Sequence, residues 1–178
     1  VLPTLGKVDA VVTDPPYGMG DLLRKGGKKK WPITSAKGTA WDNESAEVSA
    51  ILAPNVPSII WGGNFFDLPK RRGWLVWDKL MSEFSTSVCE LAWTNLPKAV
   101  RRIRFLWNGC MRMERDVVRE HPTQKPVELM EWCISQCNNP QTILDPFSSR
   151  APLRSTWNCS RTSSCAPSST VSTTAKLN

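Results

Sequence analysis

The chain has 178 residues, 23 Lys plus Arg against 16 Asp plus Glu, one His, and a formal net charge of +7. Residues 148 to 178 hold four basic residues, no acidic one and 14 Ser or Thr, so residues 1 to 147 carry a net charge of only +3. The mean charge is therefore no argument for nucleic-acid binding. At this length one domain is expected, and 40% hydrophobic residues are enough for a core. No stretch approaches the roughly 20 apolar residues of a membrane span, and Val1 to Asp14 is too short and wrongly flanked for a secretory signal. Six Cys without regular spacing point to a reduced, cytoplasmic compartment rather than to disulfides. Cys133 and Cys137 lie one helical turn apart, but with a single His and no second pair no metal site is expected.

In chain order, Val8 to Thr13 is a β-branched run and reads as a buried strand. It is broken by Asp14-Pro15-Pro16-Tyr17-Gly18, which neither continues a strand nor opens a helix. Gly20 to Gly38 reads as a polar loop. Ser45 to Leu52 is a predicted helix, capped by Asn43 or Ser45. Ser58 to Trp61 and Gly73 to Trp77 are predicted strands, closed by Gly62-Gly63 and Asp78-Lys79. Glu90 to Thr94 and Ala99 to Trp107 read as two more strands. Pro126 to Cys137 is the strongest helix, with Pro126 at its first position and an apolar stripe of Leu129, Met130, Cys133 and Ile134. Thr142 to Asp145 is a last strand. Strands alternating with helices predict an α/β sheet, mainly parallel, with ligands beyond the carboxyl ends of its strands. Most of the nine Trp are expected to be partly buried core residues.

Asp14-Pro15-Pro16-Tyr17 at a strand end carries the chemistry. Average residue usage would produce it by chance in about one chain in a thousand of this length. The amine of a nucleobase is a poor nucleophile because its lone pair is delocalised into the ring. A carboxylate and a backbone carbonyl that accept its hydrogens draw the nitrogen towards tetrahedral geometry. An aromatic ring beside them stacks on a base flipped from the duplex. On these residues the chain resembles the S-adenosylmethionine-dependent amino-methyltransferases of DNA, which carry a (D/N/S)-P-P-(Y/F/W) motif; Asp with Tyr is similar to the N6-adenine type.

Two further segments extend the likeness. His121-Pro122-Thr123-Gln124-Lys125-Pro126-Val127-Glu128-Leu129 resembles the segment opening the helix beside the cofactor. Thr142-Ile143-Leu144-Asp145-Pro146-Phe147 resembles the start of the cofactor motif, and the motif order is that of the β group. Gly73 to Glu131 is also similar to small phage-type adenine methyltransferases. The resemblance implies a Rossmann-like methyltransferase sheet in a partial domain over residues 1 to 147, incomplete on its C-terminal side, followed by a disordered Ser/Thr-rich tail over 148 to 178. It implies that Asp14, with the Pro15 carbonyl, accepts the adenine N6 hydrogens and that Tyr17 stacks on the base, Pro16 completing the motif. Thr123, Lys125, Pro126, Asp145, Pro146 and Phe147 would line the S-adenosylmethionine pocket, with His121 shaping it. Double-stranded DNA is the implied partner. Lys28, Lys29 and Lys30, then Arg101, Arg102 and Arg104, with Arg112 and Arg115 beyond, are the expected phosphate contacts. Base readout would fall in the short interval from Leu96 to Glu120.

Beyond Phe147 the chain departs from the family. Ser148-Ser149-Arg150-Ala151-Pro152 stands where backbone-approach glycines are expected, with no Gly after Gly109 and no Asp or Glu after Asp145. A frameshift near codon 148 would account for this, and Val1 as first residue suggests a missing start or an unusual start codon. Two alternatives therefore stand beside the adenine reading: an inactive remnant with at most residual DNA binding, and an N4-cytosine enzyme.

Overall fold

The computed structural model describes residues 7–19, 45–52, 55–81, 87–108, 111–113 and 124–147. Within them the chain is α/β. The strands are β1 (Ala10–Thr13), β2 (Ser58–Trp61), β3 (Trp74–Asp78), β4 (Cys89–Thr94), β5 (Arg101–Arg104), β6 (Trp107–Asn108), β7 (Met111–Arg112) and β8 (Ile143–Leu144), with helix α1 at Val127–Gln136. Six strands form one sheet in the order β5-β3-β4-β2-β1-β8, and β6 with β7 makes a separate hairpin.

The sheet is mixed. β1 pairs in parallel with β2 and β8, and β3 with β5, but β4 is antiparallel to both β2 and β3. β4 alone thus runs against the other five strands. The cause is local: a ten-residue connection from Asp78 to Cys89 suits antiparallel neighbours, whereas a parallel return needs a longer crossover.

β1 and β2 are buried along their whole length, as their unbroken Ala-Val-Val-Thr and Ser-Ile-Ile-Trp sequences require. On one face Ala10, Val12, Ile59, Trp61, Leu75, Trp77 and Ala92 pack beneath Leu129, Met130 and Cys133 of α1. On the other face Val48, Ile60 and Trp93 form a smaller cluster, joined by half-buried Phe66, Trp74 and Phe147. The helix begins one residue later than its sequence suggests, with Pro126 outside it as N-cap. Its C-terminal carbonyl at Gln136 accepts a 2.7 Å bond from Lys98 Nζ, a cation where the helix dipole favours one.

Three expectations are corrected. Residues 45 to 52 do not form an α-helix: only a short 3-10 turn, Ser49–Ile51, is present. The backbone at Ser45 and Ala46 is instead committed to the Pro16–Tyr17 segment, through a bridge from Ser45 to Tyr17 and a 3.2 Å bond from Ala46 N to Pro16 O. The predicted strand from Ala99 to Trp107 is divided, because after Phe105 the chain turns to pair Trp107 with Arg112. Finally, Trp61, Trp77, Trp93 and Trp107 are core residues at 0–6% exposure rather than partly buried ones. Burial is compatible with three of these indole N–H groups because Trp77, Trp93 and Trp107 donate to the carbonyls of Phe105, Pro69 and Gln124, whereas Trp61 Nε1 is buried without a hydrogen-bond partner among the described residues. The predicted loop over 20 to 38 and the tail over 148 to 178 lie outside the described residues.

Leu129 is fully buried between α1 and the sheet. Leu129→Ala should cost about 2–5 kcal/mol in chemical denaturation; a loss below about 1 kcal/mol would mean that the helix is not docked as described.

Candidate functional site

One edge of the sheet collects the chemistry. β1, β3 and β8 end there, at Asp14, Lys79 and Asp145, and the reversed β4 begins there, so Glu90 enters from the opposite chain direction. Lys125 reaches the same edge from the segment preceding α1. Parallel strands with β-branched sequence hold their ends in fixed register, so these groups converge from five separate parts of the chain.

Lys125 is the centre. Its side chain is 9% exposed, and its Nζ lies 2.7 Å from Asp14 Oδ2 and 3.1 Å from Glu90 Oε2. The Trp61 ring lies beneath it, 5.4 Å from Nζ to the ring centroid. Glu90 Oε1 is held by Lys79 Nζ at 2.6 Å. Burial alone would lower the Lys125 pKa, but the charges of Asp14 and Glu90 raise it well above the ordinary lysine value, so the side chain stays protonated. Burial likewise pushes Glu90 up, and Lys125 and Lys79 more than offset it, bringing its pKa to about 2.

Tyr17 is fixed from three sides. Its hydroxyl donates a 2.5 Å bond to Asp14 Oδ1. Its ring stacks on Phe65, with centroids 5.0 Å apart and planes 21° apart, and meets Phe66 edge-on at 6.0 Å. It also lies against Gly62, where an added Cβ would come within 2.1 Å of Cε1. Gly62 has φ +67°, so glycine is required there both for the backbone conformation and for the space. Burial raises the Tyr17 pKa beyond the ordinary phenol range, and the hydroxyl remains a donor.

Asp145 follows β8 beside Asp14. Its Oδ1 accepts a 2.5 Å bond from Thr13 Oγ1 and a 3.2 Å bond from Phe147 N. Burial raises its pKa to about 6, helped by the Asp14 charge and opposed by those two bonds. Pro126 is fully buried, Pro146 is half-buried, and Phe147 packs onto the Val48–Ile60–Trp93 cluster.

The structure thus brings together Asp14, Tyr17, Lys125 and Asp145, with Pro15, Pro16, Pro126, Pro146 and Phe147 in the adjoining backbone. It does not bring the arginines there. Arg101, Arg102 and Arg104 lie exposed on β5, four strand spacings from β1, about 19 Å across the sheet. Arg104 Nε is 3.3 Å from Asp78 Oδ2. Thr123, His121, Lys28, Lys29, Lys30, Arg115 and the side chain of Arg112 lie outside the described residues. Sequence reasoning missed Glu90, Lys79 and Gly62. Only a charged residue opening an otherwise apolar strand, Cys89-Glu90-Leu91-Ala92-Trp93, could have pointed to Glu90. It also missed Lys70-Arg71-Arg72, three consecutive exposed cations entering β3.

No family model, no curated protein and no solved structure matches the chain.

The shift at Asp145 has a consequence for stability. Its pKa is about 6 when folded against an ordinary 3.8. Between those values the folded chain holds the proton more tightly, so stability falls as pH rises, by roughly 3 kcal/mol at most once pH exceeds 6. Asp145→Asn keeps an acceptor for Thr13 and Phe147 and should therefore raise the melting temperature at pH 7.5 but not at pH 4. An equal change at both pH values would contradict the assigned burial cost.

Proposed function

We propose that this chain is the catalytic core of a DNA methyltransferase that moves a methyl group from S-adenosylmethionine to the N6 amine of adenine. The observation that carries the reading is convergence. Three segments remote in sequence, at 14–17, 124–126 and 145–147, meet at one sheet edge, where Lys125 touches Asp14 and Thr13 bonds to Asp145. A turn motif of purely structural origin would have no reason to meet the other two. In this reading the mixed sheet is Rossmann-like, with β8 as the strand that leads into the cofactor site.

Among the described residues, Asp14, Glu90 and Asp145 meet Lys79 and Lys125 at this edge, an excess of one carboxylate, which suits a cationic sulfonium. Asp145, Pro146 and Phe147 would hold it from β8, and Lys125 and Pro126 from the start of α1. When bound, S-adenosylmethionine supplies an electrophilic methyl group.

The chain's own residues then have definite work. Both oxygens of Asp14 already accept one hydrogen bond, from Tyr17 and from Lys125. An ionised carboxylate has about four lone-pair sites, so room remains for an amine hydrogen. Asp14, with the Pro15 carbonyl, would draw the amine out of the ring plane and localise its lone pair. It would then take the surplus proton of the methylated nitrogen. The Tyr17 ring, held in place by its stacking on Phe65, would stand beside the flipped base. Exposed Arg101, Arg102 and Arg104 on β5 would contact DNA phosphates at a distance from the base.

A second reading, an inactive remnant, is favoured by Ser148-Ser149-Arg150 in place of the glycines that allow close backbone approach. Incubating the chain with duplex DNA and S-adenosylmethionine, followed by mass analysis of the nucleosides, decides between them. N6-methyladenine is expected. N4-methylcytosine would mark the cytosine alternative, and no methylated base together with no calorimetric cofactor binding at millimolar concentration would mark the remnant. Asp14→Asn should lower transfer at least about a hundredfold and leave cofactor affinity unchanged. Tyr17→Ala should cost about tenfold, in keeping with ~1–3 kcal/mol for base stacking, whereas Tyr17→Phe keeps the ring and isolates the contribution of the hydroxyl bond to Asp14.

A further inference from the structure

Lys125 has two carboxylates within reach, and only Asp14 belongs to the segment read as catalytic. A buried ammonium cannot be left unpaired: losing its partner costs far more than an exposed ion pair is worth. If Asp14 were its sole counter-ion, the proton that Asp14 takes from the methylated nitrogen would neutralise it and weaken the charge-assisted bond of 2.7 Å. That step would strand the cation.

Glu90 removes this conflict. Its Oε2 lies 3.1 Å from Lys125 Nζ, yet it is buried and accepts no aligned hydrogen bond among the described residues. A second carboxylate oxygen therefore stands in ion-pair reach of the ammonium at the same time as Asp14. Its other oxygen, Oε1, is pinned by Lys79 at 2.6 Å, so the carboxylate cannot turn away. The Trp61 ring below lets the ammonium slide between the two oxygens over an attractive face rather than into apolar carbon.

We propose that Glu90 is a positioning residue that acts through Lys125: it offers the ammonium a second seat, so that Asp14 is released to a substrate amine without leaving an unpaired cation. The identity of the incoming amine rests on the function proposed above; the two-seat arrangement does not. Glu90 serves this role only because β4 runs backwards, which places its first residues at the edge where the other strands end.

The test is a thermal-melting cycle at pH 7.5 on the full chain with Asp14→Asn, Glu90→Gln and the double variant. With two interchangeable seats, each single variant should lose a few degrees and the double variant at least twice the sum. Adding Lys125→Met to the double variant should recover most of the loss, because the orphaned cation is then gone. Simple additivity, or no recovery with Lys125→Met, overturns the proposal. In methyl transfer, Glu90→Gln should lower kcat about tenfold or more at unchanged KM for DNA, and should add nothing to the loss in Lys125→Met. An unchanged kcat overturns the positioning role. If the unaltered chain transfers no methyl group while the melting cycle is non-additive, the functional reading fails and the two seats stand.

Discussion

An ammonium withdrawn from water is the constraint around which the described structure is arranged. Lys125 sits just ahead of α1, where the polypeptide crosses from the hairpin region to the helix. Its charge is met by Asp14 from the first strand and Glu90 from the fourth. In a low-dielectric setting such a cation is tolerated only when its partners are fixed in position. The structure fixes them by backbone means, at the ends of hydrogen-bonded strands, rather than by long flexible side chains on a surface. Lys79 then neutralises the far oxygen of Glu90, and the four groups close into a balanced set. Removing the reversed strand, the docked helix or the apolar first strand would each break that balance, so the polar site and the hydrophobic core depend on each other.

What could be read along the chain was whatever depends on neighbours in sequence. Continuous apolar runs at Val11-Val12 and Ile59-Ile60 announced strands buried on both faces, and the spacing of Leu129, Met130 and Cys133 announced the helix. The Asp-Pro-Pro-Tyr run announced the end of the first strand. Strand direction was not legible, because it follows from the length of a connection and from pairing partners elsewhere. Glu90 could not be found for the same reason: a lone acidic residue opening a strand acquires meaning only when Lys125, 35 positions away, is brought within 3.1 Å. The stretch from Ser45 to Leu52 misled in a similar way. Its local preference was helical, but its first residues bond to Pro16 and Tyr17, and tertiary pairing outweighed intrinsic propensity.

Asp14 and Tyr17 also illustrate a tension between order and availability. Asp14 is already bonded on both oxygens, and the Tyr17 ring is already stacked on Phe65 and pressed onto Gly62. Such preorganisation limits the conformations a catalytic group can explore and so reduces the entropy lost when a ligand binds. It works where an existing contact leaves a further capacity, as the remaining lone pairs of Asp14 do.

The protonation state of the edge supplies the last step. Asp145 lies next to Asp14 and, with burial and that like charge acting on it, titrates near 6 rather than near 4. Lys125 Nζ lies 2.7 Å from Asp14 Oδ2, so the Asp14 charge that acts on Asp145 is itself held in place by an ammonium. Burial and a neighbouring carboxylate favour the protonated form of Asp145, and a positive charge beside it would favour the ionised one.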